Sequence, residues 1–323
     1  MRNEIVVLED GKKTSGPIGV GGFAASSPSV NPALLYLADL ASKEGRRTMR
    51  SKLNRVARLI GTESLETCRW QEMRPHDVHG ILLLLEKEGL EASTINNYLA
   101  ALKGVATQAW KEGLMESETL QRIKAIKSRR STRLPKGRSL TMEESNALMS
   151  CHRGVSPVVD TRDKALLALM LGCGLRRAEV CGLTLADVSF DDGAITLIGK
   201  GNKERKVYLP EAAMKLLLVW LNFRGQEDGP LFTRIFRGGH ILKEKSLSES
   251  AVTLILKERL EITGQKRATP HDLRRTFATR LIEDGNDLVK VQRAMGHANV
   301  QTTARYDRRG EKDQKEMAKN VRL

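Results

Sequence analysis

Between Arg122 and Arg138 the chain reads RIKAIKSRRSTRLPKGR, with eight basic residues, no acidic one, and a proline followed by turn-forming residues near its end. A run of like charge repels itself and a proline interrupts a helix, so this segment suits neither a core nor a regular element. It reads as a linker, 122–138, between a domain at 31–121 and a larger one at 139–323. Residues 1–30, rich in Gly, Ser, Pro and Ala and without periodicity, read as a flexible tail.

With 323 residues, a 40% hydrophobic fraction and no apolar run long enough to span a bilayer, the chain suits a soluble protein of about two domains. The first residues lack a signal-peptide core, which predicts a cytoplasmic protein. The net charge of +15 points to a polyanionic partner, because a basic surface attracts phosphates and raises their association rate. A linker this positive lies favourably only along phosphates, where each neutralised phosphate releases counterion. Two helical domains joined by such a strap predict a clamp around double-stranded DNA. Cys68, Cys151, Cys173 and Cys181 show no CxxC pair and no Cys/His ligand spacing, so neither metal nor cofactor is expected and the thiols read as buried and reduced.

Four helical patterns fill the first domain. Leu34, Leu35, Leu37 and Leu40 start one. Arg46 to Ile60 is a second, with Met49, Leu53 and Val56 inward. Val78 to Leu85 is a third, and Ser93 caps a fourth in which Ile95, Leu102 and Val105 face the core. The second pattern carries Arg46, Arg47, Arg50, Lys52, Arg55 and Arg58 without acidic partners at i,i+4 spacing. It is either a solvated face or a DNA contact. Arg46, Arg47, Arg50 and Arg55 are its DNA-binding candidates, joined in the linker by Lys127, Arg129, Arg130 and Arg133.

Beyond the linker, Thr141 with Glu143 and Glu144 starts a helix, and Asp163 to Leu171 is strongly apolar. Gly172 and Gly174 end that helix, which puts Arg176 at the opening of a short one with Glu179 three residues on, on the same face. An exposed Arg–Glu pair is worth little, but between two apolar helices an isolated charge is costly, which favours a functional role. Ala194 to Ile198 and Lys206 to Leu209 are short strands joined by GKGNKER, a hairpin that holds Lys200, Lys203 and Arg205. Lys200 is either an ordinary solvent-facing tip or an amine that the hairpin carries into a cleft. GKGNK lacks the GxxxxGK[ST] spacing of a P-loop, which excludes an NTPase reading. Residues 225–250 read as irregular, and His240 there lacks a capped-helix setting. The fold class is mainly α with a small antiparallel β-sheet, α+β.

The densest polar chemistry falls between Thr269 and Arg309. Thr269 is a candidate N-cap, Pro270 fits a first helical position, and Asp272 complements the helix dipole. Leu273, Phe277 and Leu281 repeat every four residues as a buried stripe, while His271 and Arg274 project together from its flank. Gly285 ends this helix. A second carries Leu288, Val291 and Met295 inward and stops at Gly296, which places His297 at the turn just beyond. Tyr306 follows in the polar stretch TTARYDRR, without the apolar neighbours of a core tyrosine.

Arg176, Lys200, His271, Arg274, His297 and Tyr306 form a set with a definite chemistry. Two guanidiniums hold the nonbridging oxygens of one phosphate and stabilise charge as it builds in a five-coordinate transition state. A tyrosine attacks phosphorus and leaves a covalent phosphotyrosine. A lysine protonates the leaving alkoxide. One phosphodiester is traded for another, so no ATP is needed.

GLRRAEVCGL, GKGNKERKVYLP, PHDLRRTFAT and MGHANVQTTARY resemble, in order and spacing, the motif regions of the tyrosine recombinase (phage integrase) superfamily, most of all its Xer-like branch. The likeness is strong from Ser139 to Tyr306 and looser over Pro32 to Gly113, which resembles the family's helical core-binding domain; the C-terminal part is similar to its catalytic domain. It implies that Arg176 is the first catalytic arginine, with Glu179 as acidic support. Lys200 is then the general acid on the leaving 5′ oxygen. His271 and Arg274 are the His-x-x-Arg pair, His297 the second histidine on the same phosphate, and Tyr306 the nucleophile that forms a 3′-phosphotyrosyl bond. Lys203 and Arg205, like Arg177 and Arg275, fall to DNA contact or surface.

The resemblance further implies a site-specific DNA recombinase acting on paired sites, with a tetramer passing through a Holliday junction. Met317, Val321 and Leu323 make a small terminal stripe, either a terminal helix packing on its own domain or, as the resemblance implies, a helix donated to a neighbouring protomer. An accessory DNA-bending or directionality protein is compatible with this scheme. A type IB topoisomerase would use almost the same chemistry on one DNA molecule. A non-catalytic DNA-binding regulator would have no use for this residue set.

Overall fold

A computed structural model of the chain describes residues 30–130, 137–198, 204–236, 238–296, 299–304, 306 and 307. It divides into one unit ending at Arg133 and another beginning at Leu134. Both are mostly helical, and two small antiparallel sheets lie in the second. No helix among the described residues is long and apolar enough to cross a membrane.

In the first unit the helices are α1 (Pro32–Asp39), α2 (Lys43–Leu59), α3 (Pro75–Lys87), α4 (Ala92–Lys111) and α5 (Ser117–Ala125). The Asn31 side chain accepts from the Ala33 and Leu34 N–H groups, and Pro32 takes the first position of α1, where a missing N–H costs nothing. α4 is the hub: Ile95, Leu99, Leu102, Val105 and Ala106 are buried, and α1, α2, α3 and α5 all pack on it. Trp70 lies in the same core and its indole N–H donates to the Leu65 carbonyl at 2.8 Å. α2 begins at Lys43 behind a Ser42 cap rather than at Arg46, and Glu91, not Ser93, precedes α4. The predicted linker starts inside α5. Leu120, Ile123 and Ile126 are buried, so apolar spacing outweighs basic composition, and Arg122 and Lys124 form a helical turn.

The second unit is built on α7 (Pro157–Gly172), in which Ala165 to Leu171 are buried. α6 (Met142–Ser150) precedes it, opened by the capping box of Thr141 and Glu144. α8 (Arg177–Gly182) follows at once. Strands β1 (Val188–Ser189), β2 (Ala194–Ile198) and β3 (Glu204–Tyr208) form one antiparallel sheet, with Ile195 opposite Val207 and Leu197 opposite Arg205. α9 (Glu211–Arg224) packs on α7 and buries Trp220, whose N–H donates to the Leu231 carbonyl.

The stretch expected to be irregular contains a two-stranded sheet, β4 (Thr233–Ile235) and β5 (Ile241–Ser246). Its strands are short and largely exposed, so little apolar alternation marks them. α10 (Glu249–Ile262), α11 (Pro270–Glu283), α12 (Leu288–Met295) and α13 (Val300–Ala304) complete the unit, and α11 lies against α7, α10 and α12. Leu273 is buried as predicted, but Ala278 and Ile282 are the deep positions further along α11, with Phe277 and Leu281 only partly covered. α11 is enclosed on more than one side, so its hydrophobic stripe is not its only buried face.

Candidate active site

Thr269 donates to the Asp272 carboxylate through both its N–H (2.8 Å) and its hydroxyl (2.7 Å), which fixes the start of α11. His271 therefore falls in the first turn and Arg274 one turn later. Arg274 turns inward. The residue is 1% exposed, and its guanidinium donates to the carbonyls of Gly174 and Met295. Burial and the neighbouring Arg176 push its pKa down to about 10, against the pull of Glu179 at 3.9 Å.

Glu179 is the hub of the charge cluster. One oxygen accepts from the Arg176 N–H at 2.8 Å and from Arg205 at 2.8 Å; the other accepts from the Arg176 guanidinium at 2.6 Å. Burial alone would raise its pKa, but these donors, Arg205 foremost, hold it down at about 2. Arg176 is 43% exposed, so it faces outward where Arg274 does not. It also reaches the Gly296 carbonyl at 3.4 Å. Gly296 closes α12 at φ +61°, in the left-handed region, and a Cβ there would stand 2.8 Å from the Arg205 side chain. Backbone and packing both require glycine.

Tyr306 departs from expectation. Its sequence neighbours are polar, yet it is 4% exposed and packs with Ala278, Ile282, Val291 and Met295. Those apolar partners come from α11 and α12, which local sequence cannot show. Its hydroxyl lies 3.3 Å from Nε2 of His271, and the two rings are 6.3 Å apart. His271 keeps an open edge to solvent, while burial, Arg275 and Arg274 push its pKa below the usual imidazole value. A neutral imidazole beside a phenol can accept its proton.

Arg176, Glu179 and Arg274 meet in one cluster, and His271 of α11 meets Tyr306, which follows α13, beside it. Lys200, Lys203, His297, Arg133, Arg308, Arg309 and the terminal stripe of Met317, Val321 and Leu323 lie outside the described residues.

The DNA-binding candidates sort less simply. α2 has acidic partners after all, supplied by the tertiary fold and its own first turn: Glu66 bonds Arg50 at 2.7 Å, Glu88 pairs with Arg55, and Glu44 lies 4.0 Å from Arg47. Arg129 pairs with Glu86, and its N–H donates to the Asn96 side chain. Arg46, Lys127 and Arg130 are exposed. Arg177 bonds Glu249 at 2.9 Å and the Thr253 hydroxyl at 3.0 Å.

Two arginines read as DNA contacts or surface belong to the interior. Arg205 is 16% exposed and held by Glu179. Alternation along ERKVY puts it on the same buried side as Val207, with Glu204, Lys206 and Tyr208 outside. Arg275 is more enclosed still, in helical phase with Ala278, Thr279 and Ile282, and its guanidinium lies 5.3 Å from the Tyr306 ring centroid. Each period was legible, but a charged side chain masked it.

Comparison with known proteins places this geometry. The phage integrase family matches residues 138–312, and the phage integrase N-terminal SAM-like domain matches residues 34–113. Tyrosine recombinase XerC of Shewanella amazonensis is 32% identical over 80% of this chain and 83% of its own. XerC of Actinobacillus pleuropneumoniae is 33% identical over 84% of this chain and 85% of its own. The solved Tn1549 transposon integrase in complex with transposon right end DNA shares the fold, with a TM-score of 0.65 at 20% identity over 90% of this chain and 99% of that one. These matches define an Xer-like, tyrosine-type site-specific DNA recombinase. The chain belongs to the phage integrase family.

Proposed function

We propose that Tyr306 attacks a DNA phosphodiester held by Arg176 and Arg274, forming a 3′-phosphotyrosyl bond and releasing a 5′ oxygen that Lys200 protonates. The observation that carries this reading is the 3.3 Å approach of the Tyr306 hydroxyl to His271 Nε2 beside two guanidiniums organised by Glu179. His271 takes the phenolic proton as the oxygen–phosphorus bond forms. Arg176 receives the phosphate at the surface and Arg274 adds charge from beneath, where low dielectric strengthens it. His297 donates to the same phosphate. Reversal with a different 5′ hydroxyl rejoins the strand, so bond energy is conserved in the phosphotyrosine.

The substrate is double-stranded DNA carrying paired recombination sites. The working unit is a tetramer on two sites that exchanges one strand pair, passes through a Holliday junction and exchanges the second. The C-terminal segment docks on a neighbouring protomer. Residues 31–126, through the end of α5 and the buried Ile126, form the core-binding domain, 127–138 the connection along the backbone, and 139–323 the catalytic domain. Exposed Arg46, Lys127 and Arg130 supply phosphate contacts, with Arg47 and Arg50 at the same face and Arg133 and Lys203 in support. The protein acts in the cytoplasm, on the nucleoid. Its recombinase relatives support recombination over type IB relaxation.

A half-site with a bridging phosphorothioate at the cleavage position tests the chemistry, because its thiol leaving group traps the adduct. Wild type should form a covalent adduct and Tyr306→Phe none. Absence of adduct from wild type, or an undiminished one from the variant, overturns the mechanism. A two-site plasmid should recombine; relaxation of a one-site plasmid without recombination would favour the topoisomerase reading.

A further inference from the structure

The face of the Tyr306 ring opposes a buried cation that the scheme above does not use. Arg275 follows Arg274 in α11, its side chain is 6% exposed, and its guanidinium carbon is 5.3 Å from the ring centroid. Its Nε lies 3.8 Å from Oδ1 of Asp272, the carboxylate whose other oxygen caps α11 through Thr269. The Arg138 N–H donates to the same Oδ1 at 3.0 Å. Gly137, at φ +100°, lets the backbone come this close: a Cβ there would stand 2.5 Å from Oδ1 and 3.1 Å from Nη2 of Arg275. The guanidinium is thus confined on the Asp272 side and faces the tyrosine ring on the other.

We propose that Arg275 is a positioning and charge-stabilising residue for the nucleophile: it seats the Tyr306 ring and favours the negative charge that the ring gains as the hydroxyl loses its proton. In the resting phenol the attraction is that of a cation for a π face. When His271 removes the proton, the charge left on the oxygen spreads into the ring, and the same cation attracts a net anion. The interaction strengthens between ground and transition state, which is the condition for a rate effect. The same charge disfavours protonation of His271, which keeps the acceptor neutral. Removing Arg275 should therefore slow attack without weakening DNA binding. This inference rests on Tyr306 as nucleophile.

Arg275→Met, close in shape but neutral, and Arg275→Lys, which keeps the charge, provide the test. Single-turnover adduct formation on the phosphorothioate half-site is measured beside half-site affinity at several salt concentrations and thermal unfolding. The methionine variant should bind with unchanged affinity and salt slope, yet cleave on the order of 10- to 100-fold more slowly. The lysine variant should recover most of that loss. Placing 3,5-difluorotyrosine at 306, whose phenolate forms more readily, should narrow the gap between wild type and Arg275→Met. Should the methionine variant unfold, Arg275→Gln against Arg275→Lys gives the same contrast.

Equal rates for neutral and charged variants overturn the proposal, as does weaker binding with a shallower salt slope, which would mark a DNA contact. Wild type without adduct sinks the nucleophile assignment itself. A wild-type adduct with an unslowed methionine variant sinks only the role of Arg275.

Discussion

The phenolic oxygen of Tyr306 lies 3.3 Å from Nε2 of His271, although the ring is packed among Ala278, Ile282, Val291 and Met295. The hydroxyl and the ring answer to different surroundings, so they separate by mutation. Tyr306→Phe keeps the apolar packing and loses one hydrogen bond, for a cost of about 1 kcal/mol or less. The expected result is a folded protein with wild-type affinity for half-site DNA and no covalent adduct, read by gel shift and denaturing gel together.

His271 has its pKa lowered by burial, then by Arg275 and Arg274. The depressed value means that the unfolded chain binds the proton more readily. The associated stability is complete above the ordinary imidazole range near pH 6.5 and is lost as pH falls through the folded value. A neutral acceptor also persists below about pH 6.5, so the acidic limb of the single-turnover cleavage rate should lie beneath that value. A limb at or above it would contradict the assignment.

Glu179 sits at about pKa 2 because three donors outweigh the cost of its burial. Its contribution is present above the unfolded carboxylate value and is lost as pH falls toward 2, so the unfolding temperature should decline across that acid window. Glu179→Gln leaves three guanidiniums without their counter-charge. A loss of about 3 kcal/mol in stability follows from breaking a buried ion pair, measured by denaturant unfolding.

Arg205 links β3 to the same carboxylate and packs against Gly296. Arg205→Ala should reduce the cleavage rate while leaving the salt slope of DNA binding unchanged, since its guanidinium is engaged by Glu179 and not by a phosphate. A slope reduced by about one would instead assign it to the backbone.

On α2, Arg55 is engaged by Glu88 and Tyr98, whereas Arg46 is exposed. Arg46→Ala should weaken half-site binding at low salt and reduce the slope, with stability unchanged. Arg55→Ala should mainly destabilise the first unit, seen as a lower unfolding temperature.

Local sequence made much of this site visible. Thr269, Pro270 and Asp272 mark the start of α11; the three-residue spacing of Arg176 and Glu179 describes a pair that the structure contains; Gly296 closes α12 in the left-handed conformation its position suggested. These features depend on neighbours within one helical turn. The depth of Tyr306, the acidic partners Glu66 and Glu88 of α2, and the inward turns of Arg205 and Arg275 do not. Each depends on a residue from another element, which no local pattern shows.

The sequence by itself therefore determined most of the helical elements, the break between two units and the caps of α6 and α11, because periodicity and capping are encoded over a few residues. Only the tertiary structure decided which charges face outward. Burial and ion pairing are set largely by side chains far apart in the chain: Glu179 gathers Arg176, Arg205 and Arg274 from three elements, and α11 and α12 together enclose the Tyr306 ring.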